Sequence, residues 1–251
     1  MIRLQIFRVF LVALFFTTKI WAMTPGPTIV RECPHCHTAL SEFTIGSGNS
    51  FGARCWTDLK VYAPMMPDFP WLVKCPKCKR SFWIDEAKEL GESGWGGESK
   101  TWRSTWSKAP VPSPALPADF LKLLAGSKLP REKELYARRQ IWWTANDPAR
   151  AKTNIVIQFT PEQEKSLQAL ACLLDEKDPN ERIQKAEIFR ELGRFTDCTA
   201  LLLTKPFKTE DQAKTATFIY KLAVQKTKVV REIKEETKPV PKKPIKPKTG
   251  I

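Results

Sequence analysis

The tetrapeptide Cys-Pro-x-Cys occurs twice, as "CPHC" at 33–36 and "CPKC" at 75–78. No other feature narrows the folds open to this chain as much. A single copy at a helix N-terminus suits a thiol oxidase, because the helix dipole lowers a thiol pKa there. Two copies, each after a run that reads as a strand, suit a tetrahedral zinc ion. Each C-x2-C turn can supply two sulfurs at about 2.3 Å from the metal. The residues after Cys36, "HTALSEFTIGSGNSFG", soon reach Gly46 and Gly48 and read as a strand. Glu32 beside Cys33 is also a poor neighbour for a free thiolate. The redox reading fails on that context, and the expected ligands are Cys33, Cys36, Cys75 and Cys78. The spacer of residues 37–74 exceeds the roughly 15–20 residues of compact zinc sites, so it must hold an inserted sheet.

A complete shell of four cysteines leaves no position open for water, so the Zn2+ is expected to be structural. His35 and His37, the only histidines, read as exposed knuckle residues rather than ligands. Cys55 reads as a spare core cysteine, and Cys172 and Cys198 fall in apolar helical contexts, where a free cysteine behaves as a small hydrophobe. No Ser-His-Asp set, P-loop or G-x-G-x-x-G run is present. Catalytic and organic-cofactor residues are therefore expected to be none, and the chain is not expected to be an enzyme.

The pattern changes along the chain. "TIVRE", "SEFTIGSG", "GARCWTD", "PWLVK" and "RSFWID" are short β-branched and aromatic runs separated by Gly and Pro, giving a small β domain over 24–90. Residues 91–117 are rich in Gly, Ser and Pro and carry Trp95, Trp102 and Trp106. They read as a linker whose tryptophans pack onto a neighbouring domain. Helical periodicity then runs over 118–236, with a long helix from about Arg131 to Asn146 ended by Pro148. Another opens at Thr160 with Pro161 and Gln163, close to a capping box. Residues 115–236 are expected to fold without the β domain. The Lys/Pro tail at 237–251 cannot build a core and reads as disordered. The fold class is α+β.

With these features in place, residues 31–90 resemble the bacterial CpXC-type zinc-ribbon domains. "CPHC", "IGSGNSFGARCWTDLK", "APMMPDFPWLVK" and "CPKCKRSFWIDEA" carry the resemblance. It implies a positive φ just after each second cysteine, where such knuckles usually carry glycine and this chain has His37 and Lys79. "KAEIFRELGRFTDCTALLL" (185–203) is similar to the centre of a tetratricopeptide repeat, with Ala186, Phe189, Gly193, Cys198 and Leu202 at its characteristic positions. An ordinary helical bundle is the alternative.

The +14 charge suggests nucleic acid until it is placed. Half of it comes from the three bases of residues 1–23 and from 231–251, where seven bases face three acids. A non-enzymatic adaptor that binds a protein partner through its helical domain is therefore the leading expectation. A nucleic-acid-binding ribbon with a basic tail and an exported thiol-redox protein are the alternatives, and no small-molecule substrate is inferred. Residues 1–22 place Arg3 and Arg8 before eight apolar residues, Val9–Phe16, like a short secretory signal. That run falls short of the about 20 residues a membrane helix needs. The other reading is a start at Met23. Thiolates persist in a reducing cytosol, so a start at Met23 and a cytoplasmic location are expected. If residues 1–22 act as a signal, the protein is exported or membrane-associated.

Overall fold

The computed structural model describes residues 23–94, 101–126, 128–152 and 155–234. Residues 1–22, Trp95 and the Lys/Pro tail lie outside them. Two compact units form, one from residues up to Ala53 together with Ala63–Ala115, the other from Arg54–Tyr62 and the chain from Leu116 onward. No helix among the described residues is long and apolar enough to cross a membrane.

The β unit is built from small antiparallel sheets. β1 (Thr24–Pro25) pairs with β4 (Ile45–Ser47). β2 (Ile29–Glu32) lies between β3 (Ala39–Glu42) and β9 (Glu89–Glu92). β7 (Leu72–Lys74) lies between β8 (Ser81–Trp83) and β10 (Ser113–Pro114). Each Cys-Pro-x-Cys turn is thus the tip of a hairpin, β2–β3 for the first and β7–β8 for the second. Leu40, Val73, Phe82, Ile84 and Ala87 pack around Cys33 and Cys75, which are themselves fully buried. Sheets this small bury little apolar area, and a unit of this kind depends on a cross-link.

Two boundaries differ from the sequence reading. The described part of the expected linker belongs to the β unit as far as Ala115, and Leu116 and Pro117 belong to the helical one. Ser41 donates from its backbone N–H to Pro110 O at 3.1 Å and from Oγ to Ala109 O at 3.0 Å, and β10 joins β7. Trp106 is buried, and a Cβ at residue 91 would fall 2.7 Å from its ring, so only glycine lets that ring seat. The second difference is β5 (Arg54–Trp56) and β6 (Val61–Tyr62), which leave the β unit. They form a sheet with β11 (Glu232–Ile233) inside the helical unit.

The helical unit contains α1 (Pro117–Gly126), α2 (Arg131–Ala151), α3 (Pro161–Leu173), α4 (Pro179–Glu191), α5 (Phe195–Leu203) and α6 (Glu210–Val224). The capping box at α3 forms as its residues suggest. Thr160 Oγ1 accepts from Gln163 N, and Gln163 Oε1 accepts from Thr160 N at 2.9 Å. α2 does not stop before Pro148 but continues to Ala151. Its last turn is held by burial of Ala149 against Trp56 and Val230 and by the ion pair from Arg150 to Asp58. Those contacts outweigh the backbone hydrogen bond that proline cannot donate. Leu135, Trp142, Leu167, Leu170 and Ile188 make one apolar cluster, and Ile183, Ala186, Cys198, Leu202 and Ile219 make another. Gly193, at φ +81, turns the chain between α4 and α5.

Candidate metal centre

The two knuckles fold by the same hydrogen bonds. Cys33 O accepts from His37 N and Cys75 O from Lys79 N, each at 2.9 Å. Cys33 N donates to Thr38 O and Cys75 N to Arg80 O, at 2.9 and 3.0 Å. His37 (φ 57) and Lys79 (φ 61) both take the left-handed conformation that this turn requires and that a Cβ opposes. Lys79→Gly is therefore expected to stabilise the β unit by about 1 kcal/mol, read as a higher melting temperature. His37→Gly gains less, because it gives up the 2.6 Å contact from Nδ1 to Glu32 Oε1.

These turns bring the four sulfurs together. The Sγ atoms of Cys33, Cys36, Cys75 and Cys78 all lie within 4.8 Å of one another, with Cys33–Cys78 at 3.8 Å and Cys36–Cys75 at 3.7 Å. Four sulfurs at about 2.3 Å from a central zinc make a tetrahedron whose edge is about 3.8 Å. The cross-hairpin edges match that figure. All four are free cysteines, two buried and two half-buried. The donor set and its spacing fit a tetrahedral, thiolate-preferring cation such as Zn2+.

The sulfurs differ in their surroundings. Cys36 is lowered to about 6, chiefly by the Thr38 hydroxyl, 3.3 Å from its Sγ, and by the Thr38 backbone N–H. Cys33 is pushed up to about 12 by burial, against the backbone N–H groups of His35 and Cys36. A divalent cation reverses such a burial penalty, since a coordinating thiol is deprotonated outright. With four protein sulfurs bound, a zinc ion keeps no water to activate.

The histidines and the other cysteines lie elsewhere. His35 Nε2 is 3.2 Å from Ser81 O and its ring stands edge-on to Phe82, half-buried rather than exposed. His37 is exposed. Cys55 is half-buried in the hairpin of the helical unit, and Cys198 is in the core, where burial pushes its thiol up to about 12. Cys172, expected in an apolar setting, is exposed on α3. No protein family, curated protein or solved structure matches the chain.

A second constellation is not legible in the sequence. Asp58 is fully buried in the helical unit and takes hydrogen bonds from Arg150 Nη2 and from Asn146 Nδ2 at 3.1 Å. Asn146 Nδ2 also reaches Glu191 at 3.0 and 3.2 Å, and Trp142 Nε1 donates to Glu191 Oε2 at 2.8 Å. Arg190 pairs with Glu187 through two bonds at 2.5 and 2.7 Å, both side chains fully buried, and reaches Thr57 Oγ1 at 3.5 Å. The only available hint is the alternation of charges in "AEIFREL" at 186–192. On a helical repeat motif, such charges ordinarily mark a solvated face.

Proposed function

We propose that this chain is a zinc-binding, non-enzymatic adaptor, with a CpXC-like ribbon as scaffold and a tetratricopeptide-like helical region as its protein-binding part. The observation that carries the reading is the closed set of four sulfurs at tetrahedral spacing. Such a site staples a fold and leaves no ligand position for a substrate or an activated water. The helical part is supported by Ala186, Cys198 and Leu202, buried at the small and apolar positions of the repeat, and by Gly193 at its turn. Exposed Leu203 and Val224, at the ends of α5 and α6, offer apolar surface that a folded partner could cover.

The test is cross-linking in cells followed by purification under reducing conditions, with metal measured on the same sample. One zinc per chain is expected, together with a defined protein partner that Leu203→Glu or Val224→Glu releases at unchanged melting temperature. A zinc-free protein with an oxidised Cys33–Cys36 pair overturns the metal half. Recovery of nucleic acid in place of a protein overturns the adaptor half.

A further inference from the structure

The buried network holds three carboxylates, Asp58, Glu187 and Glu191, against two guanidiniums, Arg150 and Arg190. Their positions show how the charges pair. Arg150 is committed to Asp58 and, at 2.7 Å, to Asp147 at the edge of the network. Arg190 is committed to Glu187. Among the described residues no ion pair reaches Glu191, whose hydrogen bonds come from the indole of Trp142 and the amide of Asn146, both neutral. The same amide nitrogen holds Asp58, so an ionised Glu191 would place a second negative charge across one NH2 group from the first. Neutral donors do not repay the burial of an unpaired carboxylate, which retains a proton instead.

We infer that Glu191 is a neutral carboxylic acid in the folded protein, and that this proton lets the Arg54–Tyr62 hairpin lay Asp58 into the helical unit. Oε2 accepts from both Trp142 and Asn146, at 2.8 and 3.0 Å, whereas Oε1 has only the longer 3.2 Å contact to the same Asn146 nitrogen, so Oε1 is the better seat for the proton. The balance of the surrounding groups favours the proton. Burial raises Glu191 well above the ordinary carboxylate range, Glu187 and Asp58 add to the rise, and Arg190 and the Trp142 hydrogen bond oppose it. The thiols beside the network, Cys198 on α5 and Cys55 on β5, are both raised by burial and add no charge at neutral pH, and Lys60 is paired with Asp147 at its edge. The consequence is a pH-sensitive latch. The folded chain keeps a proton that the unfolded chain releases in the ordinary glutamate range. Stability is therefore full below that range and declines as pH rises toward the raised value.

The test uses the full chain. In wild type, an infrared carbonyl band of a protonated carboxylic acid should persist at neutral pH and disappear on alkaline titration, together with a change in Trp142 fluorescence. Glu191→Gln should lack the band and should gain on wild type in melting temperature as pH rises from 5 to 8. Absence of the band in wild type at neutral pH overturns the inference. So do parallel melting profiles for the two proteins. The wild-type band needs no variant, so a misfolded Glu191→Gln leaves the test intact.

Discussion

Replacing Cys78 by serine is expected to release the metal and unfold the β unit. Serine keeps the size but loses the thiolate, and three sulfurs cannot complete a tetrahedral shell. In small structural sites, zinc binding contributes about 10–16 kcal/mol of apparent free energy, and that energy is folding energy. Whole domains are stable by only about 5–15 kcal/mol, so little of this unit survives the loss. Cys33→Ser should behave alike, since Cys33 sits in the same core beside Leu40 and Val73. Cys55→Ser is the control and should keep one metal per chain, because Cys55 belongs to the other unit. Metal analysis with amide NMR of residues 24–53 and 63–94 decides the matter. Metal retained in Cys78→Ser would remove the basis of the site.

Asp58→Ala is expected to be the most damaging single change in the helical unit, although Asp58 lies far from the helices in sequence. It strips the buried Arg150 guanidinium of its main partner and leaves one donor of Asn146 without Asp58 Oδ2. Breaking a buried pair by removing one member costs about 3–5 kcal/mol. Helical melts by circular dichroism should therefore shift to much lower urea concentration, while zinc content stays unchanged. The double variant Asp58→Leu/Arg150→Met should recover most of the loss, because well-packed apolar replacements of buried pairs are often neutral. A fragment of residues 115–236 is expected to melt early for the same reason. It lacks Trp56 and Asp58, so its seat for Ala149, Val229 and Val230 is open.

The sequence discloses local features better than distant ones. The knuckles are legible because two spaced cysteines and a proline specify a turn by themselves, and a tetrahedral metal demands two such turns. The cap at Thr160 is legible because an N-cap is settled within four residues. The fate of "RCWTD" is not. Its alternation fits a strand in any sheet, and nothing within ten residues reveals that Trp56 and Asp58 find their partners on α2. Pro148 misleads for a related reason, since the force holding the helix beyond it comes from residue 58. The charges at Glu187, Arg190 and Glu191 look like an ordinary solvated face until the hairpin and the segment before β11 cover them.

That hairpin also sets an order of assembly. Thr57 accepts at Oγ1 from the Arg231 backbone N–H, 174 residues away, and Arg54 holds Glu232 across 178. Such separations make a high contact order, and high contact order slows folding. On a ribosome adding roughly 5–20 residues per second, Asp58 is made roughly 10–35 s before the strand that closes over its sheet. Until α2 is made, the loop between the two Cys-Pro-x-Cys turns holds Asp58 without its Arg150 counter-ion, and until β11 follows its sheet stays incomplete. A metal that binds early would tether both ends of the loop and shorten the search its middle must make once the helices appear. If zinc is that metal, its supply during synthesis would then set how quickly this protein reaches its folded state.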